Sequence, residues 1–198
     1  MTLDPKQLAP TFGGKRLMVC VGGGIAAYKT ATIVSRLAQA GAEVTVLMSE
    51  AATRFVTPLT FQALSARPVY TSMWTHIESN DPQHIALADH ADAVVVAPCT
   101  MDLMARLAHG MANDVITLAL SAIDRTKTPV LLAPAMNDGM WRQPATQRNA
   151  QTLTEDGFEL VGPGEGWQAC RHIGAGRMSE PEAIVDALAR AMSAATPT

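Results

Sequence analysis

The chain has 198 residues, 48% of them hydrophobic and 17% charged, and a formal net charge of −3. This composition supplies a full hydrophobic core and excludes a disordered chain, and its slightly acidic balance offers no basic footprint for nucleic acid. The three cysteines, Cys20, Cys99 and Cys170, are odd in number and widely spaced, so they fit neither a disulfide framework nor a zinc motif.

Residues 1–14 are polar, carry two prolines and lack the apolar stretch of a signal peptide. A flexible extension is expected there, ahead of one domain over 15–198. The run 16–21 is apolar and stops at Gly22-Gly23-Gly24, which reads as a strand entering a tight turn. Helical spacing follows over 25–40, with Ile25, Ile33, Val34 and Leu37 as the expected buried face and Gly41 as the stop. A second strand covers 43–48, and Ser49-Glu50-Ala51-Ala52 opens the next helix. Residues 93–97 form another strand, closed by Pro98. Helices are expected over 101–108 and 115–122, a strand over 130–133 and a helix over 144–156. A short strand near 158–161 and an amphipathic helix over 180–192 complete the pattern. Strands this short and apolar are buried on both faces, which predicts a doubly wound parallel sheet between helices. The fold class is three-layer α/β/α, flavodoxin-like or Rossmann-like. No interior linker, internal repeat or apolar stretch of bilayer length interrupts it, and a cytoplasmic, reducing compartment is the simplest expectation.

Glycines between a first strand and a first helix let a phosphate approach the positive helix end, or merely form a tight turn. The three here are not G-x-G-x-x-G. Met48-Ser49 stands where a dinucleotide fold places an acid for the ribose, which argues against NAD and leaves room for a mononucleotide. Asn137 follows the 130–133 strand, at the sheet end where ligands bind. In isolation it also reads as a turn residue bonding its own backbone.

Five segments occur in order: Gly-Gly-Ile-Ala-Ala-Tyr-Lys (23–29), Thr-Pro-Leu-Thr-Phe-Gln (57–62), Gly-Met-Ala-Asn-Asp (110–114), Pro-Ala-Met-Asn-Asp-Gly-Met-Trp (134–141) and Ala-Cys-Arg-His-Ile-Gly-Ala-Gly-Arg-Met (169–178). Together they resemble the phosphopantothenoylcysteine decarboxylases of the homo-oligomeric flavin-containing cysteine decarboxylase family, from about residue 15 to about residue 192. The resemblance implies FMN held by Gly23, Gly24, Ile25, Ser49, Thr60, Thr100 and Met101, with Ala135 beside the flavin. It implies that Asn137 holds the carboxylate that leaves as carbon dioxide and that Met140 also contacts the substrate. His84, in His-Ile-x-Leu, would be the base for substrate oxidation, and Cys170, on a mobile glycine-rich flap, the final proton donor. The other histidines (His76, His90, His109 and His172) read as surface or core residues, and Cys20 and Cys99 as packing.

The implied chemistry passes through a thioaldehyde, whose C=S group accepts the electron pair of decarboxylation, and an enethiol. Arg171 stands where the family often has glycine, and it becomes a candidate for lowering the neighbouring thiol's pKa or binding the substrate phosphate. Asp89 stands where relatives often carry a basic residue. The resemblance also implies a trimer or a multiple such as a dodecamer, with sites between subunits. The 198 residues leave no room for the fused ligase of many bacterial relatives, so a separate phosphopantothenate-cysteine ligase is an expected partner, unless the chain is an excised piece. Two rivals are a peptidyl-cysteine decarboxylase, generally lacking the donor Cys, and a non-catalytic flavin-binding regulator, which carries the long acidic tail absent from 193–198. A flavin prenyltransferase is disfavoured because it lacks the Asn137 motif.

Overall fold

The computed structural model describes residues 3–75 and 83–195. In chain order, α1 (Pro5–Phe12) precedes β1 (Arg16–Val21), α2 (Ala27–Gln39) and β2 (Glu43–Met48). A 3-10 turn over Glu50–Arg54 leads to α3 (Pro58–Ser65), β3 (Val69–Tyr70) and α4 (Gln83–Asp89). Next come β4 (Ala93–Cys99), α5 (Met101–Ala108), α6 (Val115–Ser121), β5 (Val130–Pro134) and the single-turn α7 (Asp138–Trp141). The chain continues through α8 (Pro144–Glu155), β6 (Glu159–Leu160), β7 (Gly164–Trp167), β8 (Ile173–Arg177) and α9 (Pro181–Ala195).

Among the described residues, six strands form one parallel sheet in the order β3-β2-β1-β4-β5-β6, while β7 and β8 pair only with each other, antiparallel. The order reverses between β1 and β4, so their connections leave in opposite directions and open a crevice at their carboxyl ends. This winding is of the Rossmann type, one of the two expected.

Alternating side chains along each central strand feed two separate cores. Leu17, Val19 and Val21 of β1 pack with Val95 of β4 and Leu131 of β5 beneath α1, α2, α3 and α9. Met18, Cys20, Val94, Val96 and Leu132 pack on the other face with Leu103, Met104, Ile116 and Leu153. Burying each such Val, Leu or Ile contributes about 1.5–3 kcal/mol, so the doubly covered centre is the most stable part of the sheet.

Two expectations need correction. The segment set apart as a flexible extension contains α1, because Pro5 sits at a helix start, where it is tolerated, and Asp4 caps it by accepting the Lys6 N–H at 3.0 Å. Leu8 and Phe12 then anchor it in the first core. Ile25 does not join the buried face of α2; it precedes the helix and is 60% exposed. Among the described residues, no helix is long and apolar enough to cross a membrane.

Candidate active site

The loops after β1, β2, β4 and β5 converge on one cavity of about 1160 Å³. Its floor depends on close backbone approach. The Gly22 N–H donates to Pro98 O at 3.1 Å, and a Cβ on Gly22 would stand 2.3 Å from that oxygen. A Cβ on Gly23 would stand 2.4 Å from Ala51 Cβ. Gly24 differs, since its nearest neighbour would be Thr100 Cγ2 at an ordinary 3.6 Å, and it faces the cavity. Protein packing explains the first two glycines; room for a ligand explains the third.

Ser49 and Thr100 each cap the turn that follows, accepting N–H bonds from Ala52 and Leu103 at 3.2 Å. Both also line the cavity, so each hydroxyl keeps a hydrogen to offer inward. Ala26, at the start of α2, supplies no side-chain cap, which leaves that positive helix end to an anion. With apolar Ile25, Met101 and Met136 on the same wall, this donor set suits a flavin mononucleotide, and the volume leaves space beside it for a substrate.

Asn137 is a turn residue that also lines the cavity. Its Oδ1 accepts the Gly139 N–H at 2.8 Å, capping α7, which turns its Nδ2 toward Cys170 Sγ at 3.1 Å. Cys170 is exposed on the turn of the β7–β8 hairpin. That hairpin is an ordered element in place of the expected loop, and its glycines serve contact. The Met136 N–H donates to Gly176 O at 2.9 Å, and the Ala175 N–H to Asp138 Oδ1 at 3.0 Å. A Cβ on Gly174 would meet Asp138 Cβ at 2.8 Å, and one on Gly176, at φ 109°, would meet Met136 O at 2.5 Å.

The cavity therefore unites Gly23, Gly24, Ile25, Ser49, Thr100, Met101, Ala135, Asn137, Met140 and Cys170. Thr60 is exposed on α3, His84 sits on α4, and Arg171 is exposed at φ 65°; none of these lines it. Asp89 is exposed at the end of α4, and His76 lies outside the described residues. Burial pushes the Cys20 and Cys99 thiols far up from the ordinary cysteine value, in keeping with a packing role.

Sequence reasoning missed several wall residues. Lys29 is buried and pairs with Glu180 at 3.0 Å, which also binds Arg177. Glu50 stands two residues beyond β2 at the rim, so an acid does reach this wall. Gln168, 7% exposed, joins the hairpin to the Asn137 loop. Lys29 at least fell within the quoted 23–29 segment, whereas nothing in the sequence marks Gln168.

A family model described as Flavoprotein matches residues 8–193. The chain belongs to the Flavoprotein family. Its relatives include the Coenzyme A biosynthesis bifunctional protein CoaBC of Bacillus subtilis (strain 168), 46% identical over 171 residues. That match takes in 86% of this flavoprotein chain but 41% of the relative, so the chain spans less than half the length of the curated proteins it matches. A solved cysteine-to-serine variant of PPC decarboxylase, complexed with pantothenoylaminoethenethiol, superposes with a TM-score of 0.79 at 29% identity, covering 88% of this chain and 96% of that one. The FMN-dependent cysteine decarboxylase SpaF gives 0.78 at 28%, covering 93% and 98%.

Proposed function

We propose that the protein is an FMN-dependent decarboxylase converting 4′-phosphopantothenoylcysteine to 4′-phosphopantetheine in coenzyme A biosynthesis. The carrying observation is the 3.1 Å approach of the Asn137 amide to the Cys170 thiol on the wall of a flavin-sized cavity. The coenzyme A role named for the curated relatives and the PPC decarboxylase activity of the solved neighbour support it.

When bound, FMN supplies reversible acceptance of a hydride from the substrate's Cβ. Asn137 Nδ2 donates to the substrate carboxylate and orients it. An uncharged donor avoids the strong ion pair that would stabilise the ground state and be lost with carbon dioxide. His84 takes the substrate thiol proton as the CH₂–SH group becomes C=S. The pair released by cleavage of the C–CO₂ bond then flows into C=S, giving an enethiolate. Cys170 delivers its proton to Cα as C=S re-forms, and the proton taken up by His84 would return to sulfur when the bound flavin gave back its hydride, leaving the saturated thiol.

His84 does not line the cavity of its own chain, and a trimer, or a multiple of three, would bring it in from a neighbouring subunit. Exposed Tyr28, Leu59, Trp74 and Ile85 support such assembly. A phosphopantothenate-cysteine ligase, separate or in a longer chain, would supply the substrate, and a reducing cytoplasmic setting keeps Cys170 a thiol. The test is mass spectrometry of products after adding phosphopantothenoylcysteine. Wild type should release carbon dioxide and the saturated thiol, whereas Cys170→Ser should stall at the enethiol, because a hydroxyl is the weaker acid. Enethiol as the final wild-type product would point instead to a peptidyl-cysteine decarboxylase, and a flavin-bound protein with no turnover to a regulator.

A further inference from the structure

We infer that Gln168 is a positioning residue that holds the Cys170 thiol, and the Asn137 amide beside it, for the final proton transfer. The inference rests on the decarboxylase reading above and deepens it. The side chain is almost wholly buried, and both ends of its amide are engaged. Nε2 donates to Ala175 O at 2.6 Å and faces Gly174 O at 3.5 Å. Two backbone carbonyls on one side force Oε1 to the other. There Oε1 accepts the Asp138 N–H at 3.2 Å and meets Asn137 Nδ2 and Cys170 Sγ, each at 3.5 Å.

The neighbouring amide is oriented as firmly. Because Asn137 Oδ1 is occupied by the Gly139 N–H, its two Nδ2 hydrogens face Cys170 Sγ and Gln168 Oε1. The thiol thus has a donor on one side and an acceptor on the other, and its own hydrogen points to Gln168. An amide oxygen suits this task because it orients an S–H without competing for the proton, as a carboxylate or imidazole would.

The arrangement gives the thiol two positions. Without substrate, Sγ rests on the Asn137 donor. A carboxylate taking that donor displaces Sγ, which stays tethered to Gln168. Once the C–CO₂ bond breaks and carbon dioxide leaves, the donor is vacant and Sγ returns beside it, next to the Cα that has just lost its substituent. The S–H proton passes to Cα, the C=C pair forms the new C–H bond, and the C=S double bond is restored. Without Gln168, the displaced thiol on an exposed turn has no buried anchor among the described residues.

Gln168→Met, similar in volume but without the amide, tests this through product partition. The ratio of enethiol to saturated thiol per turnover does not depend on how much protein is folded, so a merely structural role leaves it unchanged. Gln168→Met should shift the ratio toward enethiol by tenfold or more, on the order of 1.4 kcal/mol in the competing barrier. Gln168→Glu keeps an oxygen toward the thiol and should lie between Gln168→Met and wild type. A wild-type ratio in Gln168→Met, even with slow turnover, overturns the role, whereas no carbon dioxide from wild type overturns the decarboxylase reading instead. A second readout needs neither turnover nor a variant at 168. The Raman S–H band that disappears in Cys170→Ser should lie at lower frequency than a free thiol, and an unshifted band also overturns the inference.

Discussion

Two glycine-rich regions face each other across the cavity, and they are held in place by different forces. The floor around Gly22–Gly24 is continuous with β1 and β4, whose side chains are buried in two cores. The β7–β8 hairpin forms its own two-stranded sheet and reaches the Asn137 loop through Gly176 O, Asp138 Oδ1 and Gln168. Each such hydrogen bond nets about 0.5–1.5 kcal/mol, against about 1.5–3 kcal/mol for every apolar side chain buried beneath the floor. Trp167 and Ile173, near the hairpin tip, are 61% and 78% exposed. The half suited to the cofactor is thus built into the fold, while the half carrying the thiol can be released at modest cost, as a clamp over a reactive intermediate requires.

The largest effect should come from the clamp side. Asn137→Asp retains an oxygen for the Gly139 N–H, so the cap of α7 survives, but the Nδ2 donor becomes a negative charge. Two like charges about 4 Å apart at an effective dielectric of about 20 repel by about 4 kcal/mol, which corresponds to roughly a thousandfold loss of carbon dioxide release. The thermal midpoint should stay near wild type. Turnover close to wild type would show that the carboxylate does not sit on Asn137.

On the floor, adjacent glycines should separate folding from binding. Gly23→Ala drives a methyl into Ala51, an overpacking that costs about 1–3 kcal/mol and lowers the melting temperature by several degrees. Gly24→Ala meets only ordinary contact with Thr100, so it should melt like wild type while binding FMN more weakly in a fluorescence titration. Equal FMN affinity in Gly24→Ala and wild type would remove the cavity-side argument for that glycine.

The cysteines divide along the same line. Burial raises the Cys20 and Cys99 thiols, Cys20 further through Asp114 and Cys99 nearby. A thiol whose folded pKa is raised adds stability that is complete below its unfolded value of about 8.5 and is lost as pH rises beyond it. The expected slope is about 1.4 kcal/mol per pH unit for each thiol. Denaturant midpoints followed upward from about pH 8 should show this loss, and alanine at both positions should flatten it. A slope unchanged in the double variant would assign the alkaline loss to other groups. Cys170 should alkylate in the native protein under conditions that spare the other two.

What the sequence revealed follows the same division. β1, β2, β4 and β5 were legible because strands covered on both faces must be apolar, and their ends were placed to within about two residues. β3 is two residues long at the sheet edge, with too little apolar pattern to stand out. The strands of the hairpin read Gly-Glu-Gly-Trp and Ile-Gly-Ala-Gly-Arg. Their residues answer to contact with Met136 and Asp138 rather than to a core, so no periodicity betrays them. The residues expected at the site that line the cavity were legible through motifs, and Thr60 stands apart, exposed on a helix that buries Phe61. His84 was legible as a motif, but its place outside this cavity was not, because a motif names a residue without saying where the fold puts it.

The smallest and most local test is at Arg171. At φ 65° it occupies the left-handed region, which costs an L residue about 1–2 kcal/mol and glycine almost nothing. Glycine in turn loses about 0.5–1 kcal/mol more in ordering, so Arg171→Gly should change stability by no more than about 1.5 kcal/mol. The charge is then the only substantial thing removed. If Arg171 reads the substrate phosphate from its exposed place next to Cys170, it does so as a solvent-screened pair worth about 0.2–1 kcal/mol. The variant should therefore raise KM for phosphopantothenoylcysteine by up to about fivefold at low salt and leave kcat unchanged. Substrate lacking the phosphate should show no change in KM, and added salt should erase the difference. An equal rise for both substrates would mean that the residue shapes the turn holding Cys170 and does not bind phosphate.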